Sequence, residues 1–322
     1  MLGAEQIKIA VVGSLNMDYS VLLNKRPAAG ETVLANDIMI TPGGKGANQA
    51  YAVGKTGGSV QMIGRVGEDI NAQIIRDTLK DQHISTDGIQ TDKERPTGIA
   101  IITLDDQAQN SIIVCPGANR GVTGREIVEA LDKLTSLKII MLQLEIPMVC
   151  VVQAIDYAKK HKLIAFLDPA PAPKEGLPDA TYQMLDYISP NAIEAEMLSG
   201  IPVFDMESAG KAAGFFLKKG VKNVIIKLGG EGVYATDGKK EIMIPAIEIP
   251  VVDTTAAGDT FAGAFCARLE KGDDFFEAVR YANYASGLSV AKKGAQKSMP
   301  SAEEIEKFIR LKEKGEKKHE CI

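Results

Sequence analysis

Residues 138–142 read Lys138-Ile-Ile-Met-Leu142, residues 147–160 follow a helical pattern, and residues 163–167 read Leu163-Ile-Ala-Phe-Leu167. Two short apolar runs joined by a helical stretch make a strand–helix–strand unit, the building block of a parallel sheet. Strands that are apolar on both faces must be covered on both faces. Moving outward, the alternation persists. Upstream, strands are expected over 7–12 and 60–66. A glycine-rich turn over 43–57 feeds a helix, and further helices are expected over 71–82 and 125–134. Downstream, a short strand over 186–188 precedes helices over 192–198 and 208–219. Strands over 223–228, 232–236 and 241–245 follow, then helices over 260–271, 275–290 and 302–312. The expected fold is therefore α/β, a mostly parallel sheet with helices on both faces. Two segments, 18–23 and 32–40, alternate apolar and polar residues and do not belong in such a sheet. The β-rich stretches 97–104 and 111–115, around a polar turn at 105–110, suggest a hairpin. These pieces are read as a small β-sheet lid, with strands from about 16–41 and 97–115. One domain over 1–312 and a charged tail over 313–322 complete the expectation.

The 322 residues are 45% hydrophobic and 25% charged, with a formal net charge of −5. That balance gives no general attraction to nucleic acid or to an anionic membrane. Any anionic ligand must be held by local features. Of the four cysteines, Cys115, Cys150, Cys266 and Cys321, none form a C-x-x-C pair, and only three histidines are present. This composition argues against a structural zinc site. No apolar stretch is long enough for a membrane span or signal peptide, so a reduced cytoplasmic setting is expected.

The chemistry concentrates at Asp253-Thr-Thr-Ala-Ala-Gly-Asp259, before the apolar run that starts at Thr260. A helix start leaves N–H groups unpaired and partly positive, which suits an anion. An acid beside such a site is unfavourable unless it does chemistry. Amides of Ala256, Ala257 and Gly258 would steady a transferring phosphate while Asp259 takes a proton from the attacking hydroxyl. The plain alternative is that Asp259 caps the helix.

A second special segment, Thr41-Pro-Gly-Gly-Lys-Gly-Ala-Asn-Gln-Ala50, combines three glycines with a lysine and an asparagine before a helix. It matches neither the Walker A nor the dinucleotide spacing, and suits a hydroxyl-rich ligand better than a triphosphate. Asn16 and Asp18 leave the first strand at alternate positions and can face one side, where sheet ligands bind; an Asx turn would explain them too. Glu145 lies beyond another strand end, or is an ordinary acid at a helix start. Asn191 and Glu194 open a helix, which fits water-mediated Mg²⁺ near phosphates or a capping pair. The loop from Lys227 through Leu228, Gly229, Gly230 and Glu231 to Gly232 either cradles a nucleotide or simply turns a hairpin. The stretch from Gly294 to Ser298, with Asp253 nearby, could hold a monovalent ion or merely end a helix.

In order and spacing these segments resemble the ribokinase family within the PfkB-type sugar kinases, over about 7–308. Gly43-Gly-Lys-Gly-Ala-Asn-Gln-Ala50 and Asp253-Thr-Thr-Ala-Ala-Gly-Asp-Thr-Phe261 correspond to its two signatures. Asn16-Met-Asp18, Gln143-Leu-Glu145 and Pro169-Ala-Pro-Ala172 point to ribokinase in particular. The resemblance implies a Rossmann-like domain with a β-sheet lid, ATP-dependent phosphorylation of the 5-hydroxyl of D-ribose, and a homodimer clasped through the lid. It implies that Asn16, Asp18, Gly44, Lys45, Gly46, Ala47, Asn48 and Glu145 hold ribose, with Asp259 as base. Asn191, the loop 227–232, Gly258 and Asn283 would contact ATP, and Glu194 would support Mg²⁺ through water. Asp253, Thr255, Ser289, Lys292, Gly294 and Ser298 would surround an activating K⁺, several through main-chain carbonyls. The chain departs from the pattern at Lys227, where a small hydroxyl residue is frequent, at Asp168, where Asn is common, and at Lys292, where Arg is frequent. The resemblance leaves open a kinase for 2-deoxyribose or another small sugar, or a sugar-binding regulator without turnover.

Overall fold

The computed structural model describes residues 6–104 and 110–319. Its main sheet has nine strands: β1 Ile9–Val12, β4 Val60–Gly67, β5 Ser85–Asp92, β8 Ile139–Leu142, β9 Ile164–Leu167, β10 Tyr187–Ile188, β11 Asn223–Lys227, β12 Val233–Thr236 and β13 Glu241–Ile244. Their spatial order is β13-β12-β11-β10-β9-β8-β1-β4-β5. All pairs from β5 to β11 are parallel, whereas β12 and β13 run antiparallel at one edge. Successive strand residues face opposite sides, and the core divides accordingly. Ala10, Val12, Ile140 and Leu142 pack against α3 Gly124–Leu131, α4 Met148–Lys160 and α7 Met206–Lys218 on one face. Ile9, Val11, Ile139 and Met141 meet α1 Lys45–Lys55, α2 Ile70–Asp81, α8 Ala257–Lys271 and α9 Phe275–Ser289 on the other. Phe265 of α8 is fully buried there among Phe166, Tyr187, Phe261 and Phe275. Truncating such a side chain to alanine costs about 3–5 kcal/mol.

Three helix starts illustrate side-chain capping. Asp69 accepts from the Ala72 amide at 2.9 Å, and reciprocal pairs close the first turns at Thr123/Glu126 and Asp205/Ser208. Each such cap contributes about 1 kcal/mol. Among the described residues no helix is long and apolar enough to cross a membrane.

The second sheet, order β3-β2-β6-β7, comprises β2 Asn16–Leu22, β3 Asp37–Gly43, β6 Gly98–Leu104 and β7 Asn110–Cys115. The hairpin of β6 and β7 is present, and its turn lies outside the described residues. The sheet is mixed rather than antiparallel throughout, because β2 and β6 pair in parallel, Asn16 opposite Gly98. Residues 32–36 are loop rather than strand, and β3 begins at Asp37. One further element and one further boundary differ from expectation. Strand β5 was not anticipated at all, and the last helix, α10 Ala302–His319, runs past residue 312.

Candidate active site

The carboxyl ends of the parallel strands all open on one edge of the sheet, where open α/β sheets place their ligands. Ser14 follows β1, Glu145 follows β8, Asp168 follows β9, Asn191 and Glu194 follow β10, and Lys227 ends β11. The amino ends of α1 and α8 face the same edge. A cavity of about 340 Å³ runs between them, lined by Lys45, Asp168, Asn191, Glu194, Lys227 and the stretch Ala256–Asp259 among others.

At one end stands a group of polar side chains at the root of the lid. Asn16 is buried, and its Oδ1 accepts from Asn119 Nδ2 at 2.8 Å. Asn119 also exchanges hydrogen bonds with the Leu15 backbone on both sides, at 2.9 and 3.1 Å. Asp18 Oδ1 is buried with no hydrogen-bond partner. Burial, then the neighbouring charges of Glu145 and Asp259, push its carboxyl up to about 7. A buried acceptor left open in this way is an unmet demand for a donor. Glu145 Oε2 accepts from Ser14 Oγ at 2.6 Å and from the Lys45 amide at 3.3 Å, which fixes it at the start of α1. Gly44 has φ +86°, and a side chain there would reach within 2.7 Å of the Asn16 amide. At Gly46 a Cβ would stand 2.7 Å from the Gly13–Ser14 peptide. The glycines thus let α1 approach β1 closely enough to bring Asn48 to the site.

The second group centres on Asp259. Helix α8 starts at Ala257, three residues earlier than the apolar pattern suggested, and its N-cap is Ala256 in the left-handed region at φ 58°. Asp259 is therefore inside the first turn and does not cap it, which removes the plain alternative. The Ala257 amide is engaged by Thr254 O at 3.2 Å, while a first turn leaves the following amides without intrahelical acceptors. The Asp259 side chain is buried and turns back toward α1, accepting from Asn48 Nδ2 at 3.1 Å and Gln49 Nε2 at 3.2 Å. Burial pushes its carboxyl up to about 6, with Asp168 adding to the rise and Lys45, Asn48 and Gln49 opposing it. Burial also works against the Lys45 ammonium, but the carboxylates of Asp259, Asp168, Glu145 and Glu194 outweigh it and raise its pKa.

Farther along the cavity, Asn191 and Glu194 form a reciprocal capping pair, each backbone amide donating to the other side chain at 2.8 Å. Both also line the cavity, so the cap and the site are the same residues. Burial raises the Glu194 carboxyl, and Asp168 adds to this against the pull of Lys227. Lys227, Gly229 and Gly232 line the cavity; Leu228, Gly230 and Glu231 do not. The loop between β11 and β12 is a hairpin with a 3₁₀ turn over Gly229–Glu231. Asn283 lines the wall while donating to Pro245 O at 2.9 Å. Ser286, from the same helix, lines it too and donates to Ala257 O at 2.9 Å.

The other end of the 253–259 segment meets the loop after α9. Asp253 Oδ1 accepts from the Thr255 amide and hydroxyl at 2.9 and 2.6 Å, and Oδ2 from the Gly294 amide at 2.8 Å. Partial burial opposes the charge, yet these hydrogen bonds outweigh it and hold the Asp253 carboxyl below its ordinary value. Ser289 and Ser298 donate within their own turns, to Ser286 O and Ala295 O, and the Lys292 side chain pairs with Glu304. Among the described residues no three His, Cys, Asp or Glu side chains converge as a metal cage.

Several residues of the site went unread in the sequence. Ser14 and Asn119 orient the lid-root group, and Gln49 joins Asp259 to Asp168. Thr254 and Ser286 complete the walls, and Gln296 stands behind Asn48, its Nε2 donating to Asn48 Oδ1 at 3.2 Å. Gln49 sits inside the glycine-rich segment, so its place beside Asn48 was the available signal. Asn119 offered none, since its partners are 103 and 104 residues away.

Residues 6–302 match the family model described as pfkB family carbohydrate kinase. A ribokinase of Staphylococcus aureus (strain COL) is 38% identical over 300 residues, covering 92% of this chain and 98% of the relative. A deoxyribokinase of Salmonella typhi is 35% identical over 306 residues, covering 95% and 99%. Among solved structures, Arabidopsis thaliana ribokinase complexed with ribose and ATP superposes with a TM-score of 0.87 at 34% identity. That match covers 94% of this chain and 98% of the other.

Proposed function

The chain belongs to the pfkB family of carbohydrate kinases, and on that premise we propose that it phosphorylates D-ribose at the 5-hydroxyl with ATP. The observation that carries the reading is the position of Asp259. Its carboxylate is buried at the amino end of α8, oriented by Asn48 and Gln49 from α1, between the lid-root group and the cavity. A sugar hydroxyl placed there meets a base, and a phosphoryl group placed beyond it meets helix amides.

In this mechanism Asn16, Asp18, Asn48 and Glu145 bind the ribose hydroxyls, Asp18 using its unpartnered Oδ1. The backbone of Gly44, Lys45, Gly46 and Ala47 closes the sugar side. Asp259 accepts the proton of the 5-hydroxyl as that oxygen attacks the terminal phosphorus of ATP. Amides of Ala256, Ala257 and Gly258, together with that of Asp259, hold the charge that grows on the transferring group; Gly258 and Asp259 are the freer donors. Asn191, the loop 227–232 and Asn283 hold the nucleotide. Catalysis here is positioning and charge stabilisation rather than covalent chemistry.

Glu194 would hold, through water, a Mg²⁺ ion brought with ATP, which would supply positive charge to the phosphates. Mg²⁺ usually keeps several waters and takes one or two carboxylates, which suits Glu194 on the cavity wall better than a cage. K⁺ would sit at Asp253, Thr255 and Gly294, with Ser289, Lys292 and Ser298 completing its surroundings. Asp253, held ionised by its hydrogen bonds, suits a permanent cation. The apolar lid surface, with Ile38, Ile40, Ile112 and Ile113 exposed, supports a homodimer clasped through the lid. Action away from nucleic acid and anionic membranes fits the net charge of −5, and the cytoplasm is the proposed setting.

The experiment is a panel of ribose, 2-deoxyribose and fructose assayed with MgATP, with and without K⁺. A site whose buried acceptors await ribose hydroxyls should discriminate against 2-deoxyribose by about 10²-fold or more in kcat/KM. Equal or better turnover of 2-deoxyribose would transfer the assignment to the deoxyribokinase reading, which the Salmonella relative favours. Binding of ribose and ATP without transfer would support a regulator.

A further inference from the structure

Lys227 and Asp168 form a buried ion pair inside the cavity, Nζ to Oδ1 at 2.8 Å, with 15% and 2% of their side-chain surfaces exposed. Burying two charges costs more than a neutral pair of similar shape, so such a pair is weak evidence for stability alone. Its location is more informative. Lys227 Nζ stands 3.6 Å from the point where a Cβ on Gly258 would be, above the first turn of α8. Lys227 and Gly258 thus border the same part of the cavity.

Asp168 is itself held. Its second oxygen accepts from Gln49 Nε2 at 2.8 Å, and the same amide donates to Asp259 Oδ1 at 3.2 Å. Gln49 Oε1 in turn accepts from Gln143 Nε2 at 2.6 Å, which fixes the amide's orientation. Lysine ammonium, Asp168, Gln49 and Asp259 thus form one continuous chain of hydrogen bonds through the floor of the cavity. An ammonium has three donors. One is spent on Asp168, and two are left for oxygens on the cavity side.

We propose that Lys227 is a catalytic residue that donates to the transferring phosphoryl group as its charge shifts, and that Asp168 and Gln49 are positioning residues that hold the ammonium in register with Asp259. The proposal rests on the reading of Asp259 and the α8 amides as the phosphoryl-transfer site. No bond to Lys227 forms or breaks. It keeps its proton throughout, and the proton from the sugar goes to Asp259. The gain lies in a fixed positive charge beside oxygens that become more negative, in a site shielded from water. Asp168 keeps the flexible lysine stem in one rotamer before the phosphate arrives, so the cost of ordering it is met on folding rather than on catalysis.

Steady-state kinetics of Lys227→Met, Asp168→Asn and the double variant test this. Lys227→Met removes the charge at similar length. Its kcat should fall by about 10²–10³, the range seen when one transition-state donor is lost, with KM for ATP changed by less than about fivefold. Asp168→Asn should lower kcat by about tenfold. The double variant should lie within about threefold of Lys227→Met, because holding the lysine is the main work of Asp168, and Lys227→Arg should recover part of the rate. A raised KM for ATP at unchanged kcat would make Lys227 a ground-state binder and overturn the proposal. Multiplying losses in the double variant would show independent roles and overturn it as well. Thermal melting and ATP binding of each variant separate a folding defect from either outcome. Asp259→Asn, measured alongside, keeps the two readings apart. If it turns over normally, the base assignment falls, whereas a kcat-specific loss in Lys227→Met stands as evidence for the cation.

Discussion

Asp253 and Asp259 lie six residues apart, at the two ends of one turn, yet the fold treats their charges in opposite ways. Asp253 is partly exposed and takes three hydrogen bonds, so its carboxyl is held below the usual range and stays ionised. Asp259 is buried against α1 and near Asp168, and its carboxyl rises to about 6. The lesson is that hydrogen-bond count against burial, not residue type, decides which acid keeps a permanent charge and which can take a proton. A permanent charge suits a cation; a poised one suits a base.

The sharpest way to break the comparison is to neutralise Asp259. Asp259→Asn should lose about 10²–10⁴ in kcat, the usual worth of a general base. The same change should stabilise the ligand-free protein at neutral pH. The folded chain binds this proton more tightly than the unfolded chain, so low pH favours folding and the ionised carboxylate costs stability above pH 6. The gain in the Asn variant, at most about 3 kcal/mol, should appear above pH 6 and fade between pH 6 and 4. Melting curves at pH 4 and 8 check it; a lower Tm at pH 8 would contradict it.

Asp18→Asn comes next. It removes a charged acceptor from the sugar side but leaves Asp259 in place, and kcat/KM for ribose should fall by about 10–10². An unchanged value would remove Asp18 from ribose recognition. The smallest effect is expected at the other end of the turn. Asp253→Asn should bring the rate at saturating K⁺ down to the rate without K⁺, about a tenfold change. A full K⁺ response in that variant would place the cation elsewhere.

Most of the sheet was legible because its strands are unbroken apolar runs between helical patterns, as at 138–167. Strand β5 was not, since Ser85-Thr-Asp-Gly-Ile-Gln-Thr-Asp92 carries too little apolar material to signal itself. It is held by pairing with β4, which no local pattern encodes. The parallel pairing of β2 with β6 was hidden for the same reason. At the site, residues on glycine-rich segments announced themselves. Asn119 and Ser14 did not, because what makes them useful is a partner more than 100 residues away. Asp168 stood out only as a departure from a pattern, and Lys227 as a departure and as the start of a candidate nucleotide loop. Their meeting at 2.8 Å is a fact of three dimensions.

The pH dependence of kcat/KM for ribose in the unmodified protein, from pH 5 to 8 at saturating MgATP and K⁺, tests the base assignment most directly. Asp259 at about 6 and Asp18 at about 7 titrate as neighbours, so the account predicts an acidic limb with an apparent pKa between about 6 and 7 and activity falling as pH drops through it. A rate that stays flat from pH 8 down to pH 5 would contradict it.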